Sequence, residues 1–252
     1  MKINLLRFDM EVGRQKPENI IRSENHCPFC HPEELRDILA TDEGGIMLLK
    51  NKYNVIEDAD QLVLIETEKC GVDMPDYSKA HMRRVITFGV AHWMAMEASG
   101  KYGAVLFFKN HGRYSGGTMR HAHMQLVGIA KADTALFPSG EDFDGFPVAE
   151  TDGVFLNAAT HPRLGFGEFN ILAERDALGT LADYIQKTAA YICGRFLKSE
   201  RSYNIFFYNL GAKIGVKMMP RFPTSPYLIG YDVRILPNNL EDTVRDFRAT
   251  MF

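Results

Sequence analysis

No apolar run in the 252 residues approaches the roughly 18 that a membrane-spanning helix requires. The opening stretch MKINLLRFDMEVGRQ lacks an apolar segment followed by small residues, so no secretory signal is read there and a cytoplasmic location is expected. Net charge is also scarce: 29 Lys and Arg against 32 Asp and Glu leave −3. That excludes a general attraction to nucleic acid or to an anionic bilayer, so any phosphate must be held by a local site. Cysteine is sparse, with four residues. In a reducing compartment Cys27, Cys30, Cys70 and Cys193 read as thiols or metal ligands rather than disulfides.

The length allows one large domain or two halves of about 100 to 150 residues each, with enough chain for a full core. One stretch stands out, FFKNHGRYSGGTMRHAHMQLVG at residues 107–128. An apolar strand (residues 105–108) enters a turn rich in glycine, with Gly112, Gly116 and Gly117, and the chain then re-extends through His121, His123 and Gln125. Alternate residues of a strand share a face, so His123 and Gln125 point one way and Met124 and Leu126 the other. Two polar side chains beside a loop of free backbone N–H groups suit an anion, phosphate above all. His123 is then a nucleophile or base at that phosphate, and Gln125 a neutral donor beside it.

Upstream, His26-Cys27-Pro28-Phe29-Cys30-His31 places two thiols on one tight turn. Such a turn can bring two thiolates to one metal; the alternatives are reduced surface cysteines or a redox pair, and no strand pattern precedes Cys27 to favour the last. A zinc site needs about four ligands. The further candidates are Cys70, His81, His92, His111, His121 and His161.

Residues 46–50 and 62–66 read as strands, and Ser78 opens a helix that runs to about Ser99 and stops at Gly100. Val85, Phe88, Val90, His92, Trp93 and Met96 supply its apolar face. Residues 1–25 read as a loosely packed polar arm, and 131–152, acidic and without period, as a connection. Beyond it a strand, a helix and a strand repeat the earlier order, with FFYNLG at 206–211 echoing FFKNHG at 107–112. The echo lacks a second His-x-His. Lys213, Lys217 and Arg221 stand there instead, read as surface charges in preference to phosphate ligands. His161 and Cys193 receive no role.

HAHMQ, preceded by FKNHGxxxGGTMR, resembles the histidine-triad superfamily, in particular its transferase branch of galactose-1-phosphate uridylyltransferase and nucleotide-sugar phosphorylases. The resemblance implies an α+β chain with a tandem duplication of the histidine-triad-like fold, antiparallel sheet with helices packed on it. The halves are then 1–135, with the motif, and 136–252, degenerate. It implies a structural Zn2+ on Cys27, Cys30, Cys70 and His121, where the branch more often has a histidine in place of Cys70. It implies a covalent nucleotidyl-His123 intermediate, with Gln125 in place of the hydrolases' third histidine. Asn110, Gly116, Gly117 and Thr118 become phosphate contacts. Lys50-Asn51-Lys52-Tyr53 is similar to the branch's Asn-x-Tyr/Phe-Pro-Ala segment, with Asn54 replacing Pro, and makes Asn51 a nucleoside contact. The implied activity is nucleotidyl transfer of the UDP-glucose–hexose-1-phosphate type, with a nucleotide sugar or nucleotide phosphoester as donor and a sugar phosphate or phosphate as acceptor, in a homodimer. Two other readings are a nucleotide phosphohydrolase and a non-catalytic, zinc-stabilised nucleotide-binding protein.

Overall fold

A computed structural model describes residues 6–131, 138, 140–196 and 201–252. The first half supplies β1 (Ile38–Asp42), β2 (Ile46–Lys50), β3 (Ala59–Ile65), β4 (Ala104–His111) and β5 (His123–Ile129). The second supplies β6 (Gly145–Thr151), β7 (Val154–Ala159), β8 (Phe169–Glu174), β9 (Tyr203–Leu210) and β10 (Lys213–Pro220). All ten join one antiparallel sheet in the order β1-β2-β3-β5-β4-β9-β10-β8-β7-β6. That order reads the same from either edge: in each half the fifth strand lies between the third and the fourth, and the two fourth strands meet at the seam. The topology is a tandem duplication of one α+β unit.

Each unit carries a helix between its third and fourth strands, α2 (Lys79–Ala98) and α3 (Leu178–Tyr191), after a short α1 (Met10–Arg14). Two further helices follow the sheet, α4 (Pro226–Tyr231) and α5 (Leu240–Met251). Helix α2 begins where the sequence predicts, because the Ser78 hydroxyl accepts the His81 N–H and satisfies an end that the helix itself cannot. Its stripe of Met82, Val85, Ile86, Val90 and Trp93 packs with Leu64, Phe107, Met124 and Leu126 of the sheet in one core. Helices α2 and α3 lie side by side on this face, joined by the two-pronged contact of Arg83 with Asp183 at 2.9 and 2.7 Å.

The sheet's other face carries a smaller apolar cluster, Leu49, Val63 and Ile65, covered by Phe29, Leu35 and Met47. The two-cysteine turn therefore does part of the covering through Phe29, which lies over the start of β5 against His123.

Several sequence expectations need correction. Residues 145–151 are not connection but β6; the rest of that stretch includes 132–137 and 139, outside the described residues. Its alternation is masked by Pro147 and by the register shift between Pro147 and Ala149. The arm is not loose throughout, since Asn19 is 3% exposed and accepts from Arg120 N. The FFKNHG/FFYNLG echo, aligned letter by letter, is one residue out of step with the sheet. Phe107 pairs with Phe207, stacked at 4.3 Å inside the main core, whereas Phe108 pairs with Phe206 on the opposite face. Side-chain direction alternates at every residue, so a one-residue slip exchanges the faces.

Candidate active site

Strand β5 separates its side chains as the alternation predicts. Met124 and Leu126 are fully buried under the helices, and His123 and Gln125 face the other side. His123 opens the strand, opposite Ile65 of β3. One step beyond the ladder pair Lys109–Met124, Asn110 of β4 comes opposite His123, and Asn110 in turn pairs with Asn204 of β9. A polar row thus crosses the seam on the helix-free face.

His123 is 8% exposed. Its Nδ1 lies 2.8 Å from the His121 carbonyl, which only accepts, so Nδ1 carries the hydrogen and Nε2 is the bare nitrogen. Phe29 packs edge-on against the ring at 5.5 Å. Burial pushes the His123 pKa down to about 4 in spite of that hydrogen bond, with Lys109, His121 and His111 adding to the effect. The ring is neutral near pH 7.

The loop between β4 and β5 is tied down from both halves. Gly112 has φ +81°, and a Cβ there would lie 2.4 Å from the Arg201 carbonyl, so only glycine fits. Ser115 Oγ bonds the Gly112 carbonyl at 2.7 Å and accepts from Gly117 N at 3.2 Å, which occupies the Gly117 amide. Asn19 N bonds the Thr118 carbonyl at 2.9 Å. Ser202 Oγ accepts from Tyr114 N and donates to the His111 carbonyl. Among the described residues the N–H groups of Gly116 and Thr118, the Thr118 hydroxyl and the Gln125 amide have no protein partner. These donors stand with His123 at one end of the face.

Asn51 lies on the same face but further along. Its N–H bonds the Gln61 carbonyl, and Gln61 is opposite Val127, four residues or about 13 Å from His123. Its Oδ1 accepts from Tyr53 N at 2.9 Å.

Cys27, Cys30, Cys70 and His121 converge, with all donor atoms within 4.8 Å of one another. His121 Nδ1 is 3.8 Å from Cys27 Sγ and 3.5 Å from Cys30 Sγ. Tetrahedral ligands with metal bonds of about 2.1 to 2.3 Å lie about 3.6 Å apart, so the set could hold a metal ion. His121 Nε2 donates to the Thr67 carbonyl at 2.7 Å, which fixes the tautomer that leaves Nδ1 free to ligate. Burial raises the Cys27 thiol, but hydrogen bonds with His121 and Cys30 outweigh it and bring the pKa to about 6. His26 and His31, which flank the turn, stack on one another outside the cluster.

Family models described as the N-terminal and C-terminal domains of a domain of unknown function, DUF4931, match residues 8–132 and 138–252. A solved DUF4931 family protein from Bacillus cereus is 39% identical, with a TM-score of 0.77 over 84% of this chain and 98% of that one. The chain belongs to the DUF4931 family. An ADP-glucose phosphorylase from Arabidopsis thaliana, solved with ADP-glucose bound, gives a TM-score of 0.72 at 15% identity, covering 98% of this chain and 99% of that one. A uridylyltransferase gives 0.70 at 15% identity, covering 90% and 92%. The DUF4931 chain therefore shares its fold with these two proteins, over nine-tenths or more of each. Comparison with curated proteins gave no match.

The second half of this DUF4931 chain has no room for a matching site. The eleven residues between β4 and β5 shrink to Gly211 and Ala212 between β9 and β10. Lys217, expected at the surface, is fully buried: its ammonium reaches Glu168 at 2.7 Å, Asn170 at 2.8 Å and the Asp142 carbonyl, under the Phe143 ring. Lys213 is a surface charge paired with Glu174. Arg221, expected as another, is half-buried and donates to Asn204 Oδ1 at 2.6 Å. His161 is exposed and Cys193 buried, away from the cluster. Phe29, Asn19, Ser202, Asn204 and Arg221 all touch the site region, and no motif announced them. Only Phe29, inside the two-cysteine turn, had a local signal.

Proposed function

We propose that this protein is a nucleotidyltransferase acting on a nucleotide sugar or a related nucleotide phosphoester through a covalent nucleotidyl-His123. The observation that carries the reading is the bare Nε2 of His123, its other nitrogen pinned to the His121 carbonyl, beside unpartnered donors of a glycine loop. The Nε2 lone pair attacks the α-phosphorus, and the bond to the leaving phosphate oxygen breaks with its electron pair. Nδ1–H stays on the His121 carbonyl and shares the positive charge that the ring acquires. An acceptor phosphate then attacks the same phosphorus and the P–N bond returns its electrons to Nε2. Dividing the displacement in two lowers each barrier.

Gly116 N–H, Thr118 N–H and hydroxyl, Asn110 and Gln125 would hold the phosphoryl oxygens as charge builds. A phosphate leaving group needs no proton, so Gln125 suffices where a third histidine would serve a poorer one. That supports phosphate or sugar phosphate, not water, as acceptor. Asn51 would contact the nucleoside. Cys27, Cys30, Cys70 and His121 would hold zinc; four protein ligands leave no position for water, so the ion supplies a structural cross-link. The Arabidopsis protein of the same fold is named for ADP-glucose and the other for uridylyl transfer, which supports a nucleotide-sugar donor without choosing the base. The division into 1–135 and 136–252 and the homodimer belong to the same proposal. Ile229 and Tyr231 are 74% and 78% exposed, apolar area that an assembly would cover.

The test mixes the protein with UDP-glucose or ADP-glucose labelled at the α-phosphate. Acid-labile label is expected on the wild type and none on His123→Gly. Label retained on that variant rules His123 out, and products formed equally with and without added phosphate would make the acceptor water.

A further inference from the structure

We propose that Arg221 and Asn204, both from the second half, set the direction of the Asn110 side-chain amide, so that its two N–H donors face the phosphate at His123. Arg221 is then a positioning residue for the site in the first half. The proposal deepens the nucleotidyl-transfer reading, and its labelling readout rests on that reading.

The argument turns on which groups can only donate and which can only accept. A guanidinium has no acceptor, so the Asn204 atom 2.6 Å from Arg221 Nη1 must be the oxygen. The Asn204 nitrogen then faces the other way. It meets the Ser115 carbonyl at 3.0 Å, which only accepts, and Asn110 at 2.6 Å. Asn110 must offer its oxygen to that N–H, because two amide nitrogens cannot hydrogen-bond at that distance. Its own nitrogen is left pointing away from Asn204, and among the described residues nothing in the protein accepts from it. Asn110 is opposite His123 across the β4–β5 ladder, beside Gly117, whose built Cβ would lie 3.3 Å from the Asn110 Cβ. The free donors thus lie beside the loop that would cradle the phosphoryl oxygens.

Arg221 is suited to nothing else visible around it. Burial alone lowers its pKa, and no carboxylate pairs with it among the described residues. Asn204 is 1% exposed, so water does not compete for either end of its amide. A half-buried guanidinium without a counter-charge is costly unless its donors are used.

The test uses Arg221→Lys, Arg221→Met and Asn204→Asp. Lysine also only donates and should preserve the relay. Methionine removes the donor that holds Asn204. Aspartate still accepts from Arg221 but draws the Asn110 NH2 group towards itself. The first readout needs no turnover. In 15N-labelled full-length protein the Asn110 side-chain pair is identified by its loss in Asn110→Asp, and inorganic phosphate is titrated in. The pair should shift in the wild type and Arg221→Lys and stay unmoved in Asn204→Asp.

The second readout is the rate of label uptake from UDP-glucose or ADP-glucose. It should fall about a hundredfold in Asn204→Asp, the range seen when an oriented donor is lost, by a smaller factor in Arg221→Met, where the donor remains but loses its hold, and least in Arg221→Lys. Methionine matching wild type, lysine falling as far as methionine, or a wild-type Asn110 pair indifferent to phosphate would each overturn the relay. Should the wild type bind phosphate through Asn110 yet take no label, nucleotidyl transfer fails and the relay stands. If Asn204→Asp does not fold, the two Arg221 variants decide.

Discussion

Lys109 is wholly buried, with its ammonium on Glu66 and 3.0 Å from Asp73. Tyr77 donates to Glu66 and Tyr203 to Asp73, so the charges are both paired and hydrogen-bonded. Burial raises the Glu66 pKa, whereas Lys109, His111 and Tyr203 overcome burial at Asp73 and hold it at about 2. Lys109→Met strands two buried carboxylates and should cost about 3 to 5 kcal/mol in urea unfolding. A change under 1 kcal/mol would mean that the ammonium adds nothing net.

At the cysteines the expectation is chemical. Purified protein should hold about one zinc per chain, and Cys70→Ser should lose most of it, even though that thiol is exposed. A chelator should lower the Tm of the wild type and leave Cys27→Ser unchanged. Equal zinc in Cys70→Ser and wild type would remove Cys70 from the set. Cys27 and Cys30 were legible from the two-cysteine turn and His121 from the motif, whereas Cys70 was singled out only by the resemblance. The partners of Lys109 and Lys217 were not, because a buried lysine and a surface lysine are the same letter, and only the fold brings a carboxylate 43 or 49 residues away to meet it.

Strands and helices were read best where period and punctuation agree. Helix α2 has a serine cap, an apolar stripe and a glycine stop and was placed nearly to the residue, and the alternation of β5 gave its faces, although the extended run was read from His121, two residues before the strand begins. Strands β1, β6, β7 and β10 were not read as strands: most residues of the edge strands β1 and β6 face solvent, and β7 and β10 are buried on both faces, so no apolar alternation marks any of them.

The contact between α2 and α3 rests in part on Asp183, which takes Arg83 in two places and Lys79 at 2.9 Å. Burial pushes its carboxyl up, but those cations outweigh it and the pKa lies below its ordinary value. A depressed carboxyl stabilises the fold above the unfolded pKa near 3.9 and loses that contribution as pH falls further. Asp183→Asn should therefore cost about 1 kcal/mol at pH 7, since the cations are solvent-screened, and the gap from wild type should close below about pH 4. Urea curves at pH 7 and pH 3 check the sign; a gap that widens in acid would refute it.

Across the whole molecule the seam between β4 and β9 decides how far the halves are independent. Phe107 and Phe207 stack across it with Trp93 nearby, and the site's Asn110 is held by Asn204. Residues 1–135 alone would expose β4 as a long apolar edge, and α2 without α3. Such an edge pairs with whatever it meets. The fragment should elute as a self-associated species or show no cooperative unfolding, whereas a folded, monomeric fragment would show that the seam is dispensable.

The sequence by itself determined the layout of the first half's motif. His123 and Gln125 share a face because strand geometry leaves no choice, the loop turns where glycine permits it, and two cysteines on one turn reach a common point. It also showed that the chain repeats. What the tertiary structure alone decided is where the repeat is cut by a register of one residue, which lysines are buried, and that the second copy lends Ser202, Asn204 and Arg221 to the first. Those facts depend on segments brought together from 43 to 94 residues apart, and no local pattern encodes a partner at such distances.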